Sequence, residues 1–182
     1  MEAANSEDRA GVWKEFEQNP VTHSAAHHLM AIGDLTQRLG YARVSDVAKQ
    51  LKITRGSVSI SLRALKKDGL VVQDENRHLR LSDRGQSLVD AIKTKRKLMI
   101  RLLAEVLGVD PVQAEIDACK MEHLLSDRSA RQMVTMLKFI DSRAGVAEAF
   151  LAALRKFDPV CAGHVDACPS CDDTCLSDTI SD

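Results

Sequence analysis

One short string, DACKMEHLLSD, places a thiol, a carboxylate and an imidazole at Cys119, Glu122 and His123. Residues at i, i+3 and i+4 project to one side of a helix, so these three groups can converge on one cation. The set suits Fe(II), Co(II), Ni(II) or Zn(II) and suits Ca(II) or Mg(II) poorly. By itself the spacing does not establish a site, because a single cysteine at helical spacing is more often a core residue.

Four of the five cysteines lie in the last 22 residues, in the pattern C-x6-C-x2-C-x3-C. They are Cys161, Cys168, Cys171 and Cys175. Four thiolates in so short a span can wrap a Zn(II) ion or hold an iron–sulfur cluster. The spacing differs from the paired C-x2-C of zinc ribbons, which slightly favours the cluster. The alternative is an acidic tail with incidental cysteines.

Helical spacing and capping residues predict the elements that must position these groups. The segment 23–38 has apolar residues at helical spacing after Thr22, a predicted N-cap. Ser45 is predicted to cap a second helix, and a third ends at Asp68-Gly69. LVVQD and HLRLS, separated by ENR, predict a two-stranded hairpin.

This order of elements is typical of a winged helix-turn-helix. A long helix is predicted from Asp83 to Leu107, with further helices at about 111–125 and 127–156. The predicted fold is therefore mainly α, with a winged helix-turn-helix DNA-binding domain followed by an all-helical dimerisation domain. The predicted divisions are an N-terminal extension (1–21), the winged helix (22–84), a helical metal-binding and dimerisation domain (85–157) and an acidic Cys-rich tail (158–182).

The net charge of −1 conceals a strong asymmetry along the chain. Between Arg43 and Arg101 there are 15 Lys/Arg and 6 Asp/Glu, whereas residues 158–182 contain 6 Asp and no Lys, Arg or Glu. A basic block of this kind attracts phosphates. The alternative is a solvated basic face used for protein contacts.

The first turn of the third helix carries the side chains that a recognition helix uses in the major groove. Small hydroxyl groups can bond phosphates or base edges, and an arginine can donate two parallel hydrogen bonds to guanine. The predicted DNA contacts are Thr54, Arg55, Ser57, Ser59 and Arg63 on this helix and Arg77 in the wing.

The runs GYARVSDVAKQLKITRGSVSISLRALKKDGLVVQDENRHLRLSDRG and LGVDPVQAEIDACKMEHLLSD resemble the diphtheria toxin repressor and manganese transport regulator family. The resemblance covers roughly residues 22–126. It implies a homodimer whose winged helices bind a palindromic operator once Fe(II) or Mn(II) is seated. It also implies that the metal lies between the N-terminal helix, the long linking helix and the ACxxEH helix.

Carried over residue by residue, the resemblance assigns the N-terminal-helix ligand to His27 and places Met30 at a carboxylate ligand of the manganese type. The linking-helix ligand falls at Lys97, a poor ligand while protonated, and an ancillary ligand falls at Glu115, which can ligate. The binuclear site is therefore broken, and one site is predicted. It consists of His27, Cys119, Glu122 and His123, with Glu115 as a further candidate.

A thiolate beside imidazoles shifts the preference away from hard Mn(II). Fe(II) is the favoured metal, followed by Zn(II), Co(II) and Ni(II).

The sequence thus predicts a metal-responsive transcriptional regulator, favouring an iron-dependent repressor of metal-homeostasis genes. The alternative is a redox or iron–sulfur-cluster regulator that senses through the terminal cysteines. An enzyme is not predicted, because no phosphate loop, nucleophile elbow or paired-carboxylate pattern occurs. No apolar run can span a bilayer and no secretory signal is present, so a cytoplasmic protein is expected.

Overall fold

The computed structural model describes residues 21–157. The predicted N-terminal extension before Val21 and the four tail cysteines therefore lie outside the described residues. The described part is mainly helical, with a small two-stranded wing, as the sequence predicts. Its elements are α1 (His23–Leu39), α2 (Val44–Leu51), α3 (Arg55–Lys67), β1 (Val71–Gln73), β2 (Leu79–Leu81), α4 (Asp83–Arg101), a π-helical turn (Leu102–Val106), α5 (Pro111–Met121), α6 (Asp127–Asp141) and α7 (Gly145–Lys156).

Helix α1 forms the centre of the winged-helix core. The Thr22 hydroxyl caps it by accepting from the Ala25 N–H at 3.2 Å, which confirms the predicted cap. Gly40 ends it in the left-handed region at φ 79°, a conformation that glycine adopts without steric cost. Helix α1 packs against α2, α3, α4 and β2. Helix α1 therefore contacts most elements of the winged helix.

Helices α2 and α3 form the helix-turn-helix. Lys52 makes the turn in the left-handed region at φ 55°, and Thr54 then caps α3 by accepting from the Ser57 N–H at 3.1 Å. Val58, Leu62 and Leu65 fix α3 on the core. The prediction that Ser45 caps α2 is wrong, because Arg43 is the extended cap residue and Ser45 already lies in the first helical turn.

The wing is an antiparallel pair in which Val71 faces Leu81 and Gln73 faces Leu79. Buried Leu79 also bridges to Ala42, just before α2. The loop is closed by Asp74, whose carboxylate accepts from the His78 N–H at 2.7 Å. This bond is the first cause of the lowered pKa of Asp74. The hairpin predicted from the sequence is confirmed, with its ends anchored to the helical core.

Gly85 allows α4 to lie directly against the chain that enters the wing. A Cβ at this position would lie well under 3.0 Å from the Leu70 carbonyl oxygen, so the backbone would have to move. We expect Gly85→Ala to lower the free energy of unfolding by about 1–3 kcal/mol, measured by urea denaturation. Gly56→Ala is the matched control, since its nearest neighbour is at 3.7 Å and alanine is favoured in a helix by roughly 0.5–1 kcal/mol. Equal stabilities for the two variants would contradict the proposed close approach.

Two predicted helices are interrupted. The helix expected over 83–107 widens after Arg101, where the Leu107 N–H bonds the Leu102 carbonyl at 3.0 Å, a spacing of five residues. The helix expected over 127–156 breaks between Asp141 and Gly145. At this break Arg143 has φ 49° and the Ser142 hydroxyl donates to the Phe139 carbonyl. The left-handed Arg143 and this hydrogen bond interrupt the helical pattern and explain the break.

The contacts divide the chain into two compact units, one that ends at Lys138 and one that begins at Phe139. The first unit contains the winged helix, α4 and α5. In the second unit, α7 buries Ala147 and exposes Val146, Phe150 and Leu154, which lie four residues apart. Among the described residues, no helix combines the length and apolar character needed to cross a membrane.

Candidate metal centre and DNA-reading surface

The candidate metal centre joins α1 to α5. His27 lies in the second turn of α1, and its Nε2 is 3.3 Å from the Cys119 Sγ on α5. The two residues are 92 positions apart in the sequence, so only the fold brings them together. Both are partly buried, which limits competition from water.

His23 also belongs to this cluster, although sequence reasoning did not include it. One ligand atom from each of His23, His27 and Cys119 lies within 4.8 Å of the other two. The ring centroids of His23 and His27 are 4.4 Å apart, and those of His23 and His123 are 5.0 Å apart. The available signal was the i, i+4 spacing of His23 and His27 on one helix face.

Glu122 lies at the end of α5 and is completely buried. Helix α5 ends at Met121, but Glu122 keeps helical backbone angles, so its side chain still points from the same helix surface as Cys119. Neither carboxylate oxygen has a hydrogen-bond partner in the described chain. Its nearest counter-charge is the Arg96 Nη1, at 3.6 Å. A buried carboxylate without hydrogen bonds is costly and fits a place where a cation binds.

Arg96 is the α4 residue that reaches these carboxylates. Its guanidinium pairs with both Glu115 and Glu122. Lys97, to which the resemblance assigns the linking-helix ligand, is instead exposed. Successive helical residues point about 100° apart, so a one-residue difference decides which side chain enters the site. Glu115, the candidate ancillary ligand, is exposed and bound to this arginine.

The pKa values of the two imidazoles of the predicted site are both shifted in the direction that favours the neutral form. Burial lowers the pKa of His27, and the neighbouring His23 and Arg96 lower it further. Burial also lowers the pKa of His123, again with help from His23. Burial raises the pKa of Glu122, and Arg96 opposes this effect. Because only a neutral imidazole has a lone pair for a metal, the lowered pKa values reduce competition from protons near neutral pH.

Two further α1 residues, Met30 and His28, have structural roles in the described chain. Met30 is buried in the core cluster of the winged helix. His28 is 3% exposed, and its Nδ1 donates to the Ser24 carbonyl at 2.6 Å. His28 is therefore buried in the protein interior, on a different side of α1 from His27.

The predicted DNA-contacting residues all lie on the exposed surface of α3 or the wing. Arg55 opens α3, with Arg63 two turns later. The Thr54 hydroxyl is already used as the α3 cap, and the Ser59 hydroxyl donates to the Arg55 carbonyl at 2.9 Å. Arg77 is held in the left-handed region at φ 62° at the wing turn. The Ser57 hydroxyl is hydrogen-bonded to the Thr54 hydroxyl at 2.9 Å. Arg55, Arg63 and Arg77 therefore offer the more available polar groups on this surface.

Comparison with known families matches both halves of this arrangement. Residues 21–79 match the iron dependent repressor N-terminal DNA binding domain, and residues 82–152 match the iron dependent repressor metal binding and dimerisation domain. The chain belongs to the diphtheria toxin repressor and manganese transport regulator family.

Relatives of this family are 29–34% identical to this chain over the aligned residues. The chain is 34% identical to the diphtheria toxin repressor of Corynebacterium diphtheriae over 92 residues, which is 50% of this chain and 41% of the relative. It is 29% identical to the iron-dependent repressor IdeR of Mycobacterium tuberculosis (strain H37Rv) over 65% of this chain and 52% of the relative. It is also 29% identical to the HTH-type transcriptional regulator MntR of Lysinibacillus sphaericus, over 70% of this chain and 91% of the relative.

The fold is likewise shared with solved structures. The manganese regulator SloR superposes with a TM-score of 0.58 at 22% identity, over 63% of this chain and 54% of that one. IdeR of T. acidophilum superposes with a TM-score of 0.54 at 20% identity, over 62% and 53%. The chain thus spans about half the length of the diphtheria toxin repressor and IdeR proteins that it matches.

Proposed function

We propose that this protein is a metal-responsive transcriptional repressor that binds an inverted-repeat operator as a homodimer. The observation that carries the proposal is the 3.3 Å approach of His27 and Cys119. A metal held by these two side chains ties α1, which packs on both helices of the helix-turn-helix, to α5. Two matched domains of iron dependent repressors support the same function.

The proposed ligands are His27, Cys119, Glu122 and His123, with the fully buried Glu122 supplying negative charge. A thiolate, a carboxylate and neutral imidazoles together are ligands that suit a divalent transition metal. Fe(II) is the first choice, followed by Zn(II), Co(II) and Ni(II). Glu115 is the weaker candidate, since it is exposed and already paired with Arg96.

Metal occupancy would act by restricting the position of α1 relative to α5. In a homodimer this restriction would hold two α3 helices at the separation of two operator half-sites. The match of residues 82–152 to a dimerisation domain supports the dimer, and the exposed apolar residues of α7 supply surface for it. Arg55, Ser57, Arg63 and Arg77 are the proposed contacts with base edges and phosphates.

The test is selection of duplexes from a random DNA pool by the purified full chain under anaerobic conditions. We expect enrichment of an inverted repeat with Fe(II) or Co(II), and an affinity for the selected duplex that falls about 5–150-fold when a chelator is added. Fluorescence anisotropy measures this ratio. Arg55→Ala should weaken binding with metal present by about 1–3 kcal/mol while leaving metal binding unchanged. Equal affinity with metal and with chelator would contradict the proposed metal response.

A further inference from the structure

His23 is the first residue of α1, and its position relative to the other ligands is set by helix geometry. His23 and His27 lie one turn apart, and histidines at i and i+4 are a known arrangement for binding one metal from a single helix. The structure shows the two rings 4.4 Å apart, in an edge-to-face arrangement. His23 is exposed and belongs to no core cluster, so nothing in the packing requires a histidine there.

The donor atoms are close enough to share a cation. One ligand atom from each of His23, His27 and Cys119 lies within 4.8 Å of the other two. Ligand atoms about a tetrahedral Zn(II) or Co(II) ion stand roughly 3.3–3.8 Å apart, given bonds of about 2.0–2.3 Å. The separations in the structure are therefore at most about 1.5 Å longer than coordination requires. The His123 ring centroid lies 5.0 Å from that of His23.

We propose that His23 is a metal ligand, so that α1 supplies two imidazoles to the site and α5 supplies the Cys119 thiolate. This inference rests on the proposed function and concerns the chemistry of the same site. This donor set favours a four-coordinate late transition metal such as Zn(II) or Co(II), in which the fourth position would be taken by Glu122 or His123 but not by both. It also attaches the metal to the first two turns of α1, which strengthens the link between metal occupancy and the winged helix.

Cobalt(II) is the probe, because its visible absorption reports both four-coordinate geometry and thiolate ligation. The full chain is titrated with Co(II) in competition with a chelator. The tail cysteines can also bind Co(II), so every spectrum is compared with that of the full-length Cys119→Ala variant. The absorption lost in that variant belongs to this site.

We expect His23→Ala to lower the Co(II) affinity of the site by at least about 10–100-fold, the cost of losing an outer-shell group alone, and to change its visible spectrum. His23→Cys should restore affinity and strengthen the thiolate-to-metal absorption. His78→Ala is the matched control, since His78 pairs with Asp74 in the wing, and we expect it to leave both readouts unchanged.

A His23→Ala protein with wild-type affinity and spectrum, alongside loss of both in Cys119→Ala, would overturn His23 as a ligand. The proposed function fails in a different way. If Co(II) binding depends on His23 but does not alter DNA affinity, the ligand assignment stands and the metal-responsive repressor does not.

Discussion

Replacing Cys119 by alanine is expected to remove the metal dependence of DNA binding. The Cys119 Sγ lies 3.3 Å from the His27 Nε2, and it is the cysteine that the described chain places in this cluster. Loss of this thiolate should lower metal affinity on the order of 100-fold or more, because removing an outer-shell group alone costs 10–100-fold. The affinity for the selected operator should then be the same with metal and with chelator.

This result must be separated from a general loss of folding. Lys120→Ala is the matched control, since Lys120 is the exposed neighbour on α5 and pairs only locally with Asp117. Urea unfolding in the presence of chelator tests this. Lys120→Ala should keep the wild-type free energy of unfolding within about 0.5 kcal/mol, as expected for a surface change. Cys119→Ala should lower it by no more than the cost of one small cavity. Anisotropy with Co(II) and with chelator then provides the functional readout.

Anisotropy with Co(II) and with chelator also tests the alternative, in which the four terminal cysteines are the sensor. A full-length protein with Cys161, Cys168, Cys171 and Cys175 replaced by serine should keep its metal response under the proposal. If Cys119→Ala responds to metal like the wild type and the tail variant does not, the α1–α5 site is not the sensor. An absorption spectrum of the anaerobically purified wild type, recorded before metal is added, would then show whether a cluster is present.

Much of the fold could be predicted because the ends of its helices depend on interactions between residues close in the sequence. Thr22 and Thr54 cap helices with their own hydroxyls, and Gly69 follows α3 at φ 68°. These are interactions within a few residues, so the sequence displays them directly. The break between α6 and α7 depends instead on Arg143 at φ 49°, which no residue type at this position signals.

The candidate site also combines features that the sequence predicts with features that depend on how the helices pack. The i, i+3, i+4 spacing of Cys119, Glu122 and His123 is local, and it predicts a shared surface even though α5 ends at Met121. Contacts between elements are different, because they depend on how each helix is rotated about its axis. Arg96 and Lys97 are adjacent cations, and only the packing of α4 shows which one reaches Glu122.

His23 shows the effect of a helix boundary. Its spacing from His27 was visible in the sequence, but it joins that face only if the helix has already begun at residue 23. The Thr22 cap makes this so. A helix that began one turn later would leave the His23 imidazole outside the cluster.

Replacing Arg96 by methionine is expected to destabilise the metal-free protein strongly. The guanidinium is the counter-charge for the fully buried Glu122 carboxylate, at 3.6 Å, and the carboxylate has no hydrogen bond in the described residues to compensate. Removing one partner of a buried pair leaves an uncompensated charge and typically costs about 3–5 kcal/mol. Methionine keeps much of the aliphatic volume, so the change tests charge more than packing. Urea unfolding in the presence of chelator measures the loss.

Glu122→Gln provides the partner for a double-mutant cycle. Glutamine has the shape of glutamate without its charge, so Arg96→Met should cost clearly less in that background. If the cost is the same in both backgrounds, the arginine stabilises the protein through its packing or its pair with Glu115, and not through Glu122.

The Arg96 variant also tests whether Glu122 faces the metal. A metal ion bound by this carboxylate would replace the missing positive charge. Saturating Co(II) should therefore raise the free energy of unfolding more in Arg96→Met than in the wild type, since stabilisation by a ligand grows with its affinity for the folded state. Equal metal stabilisation of both proteins would place Glu122 outside the coordination sphere and leave it as the internal counter-ion of Arg96.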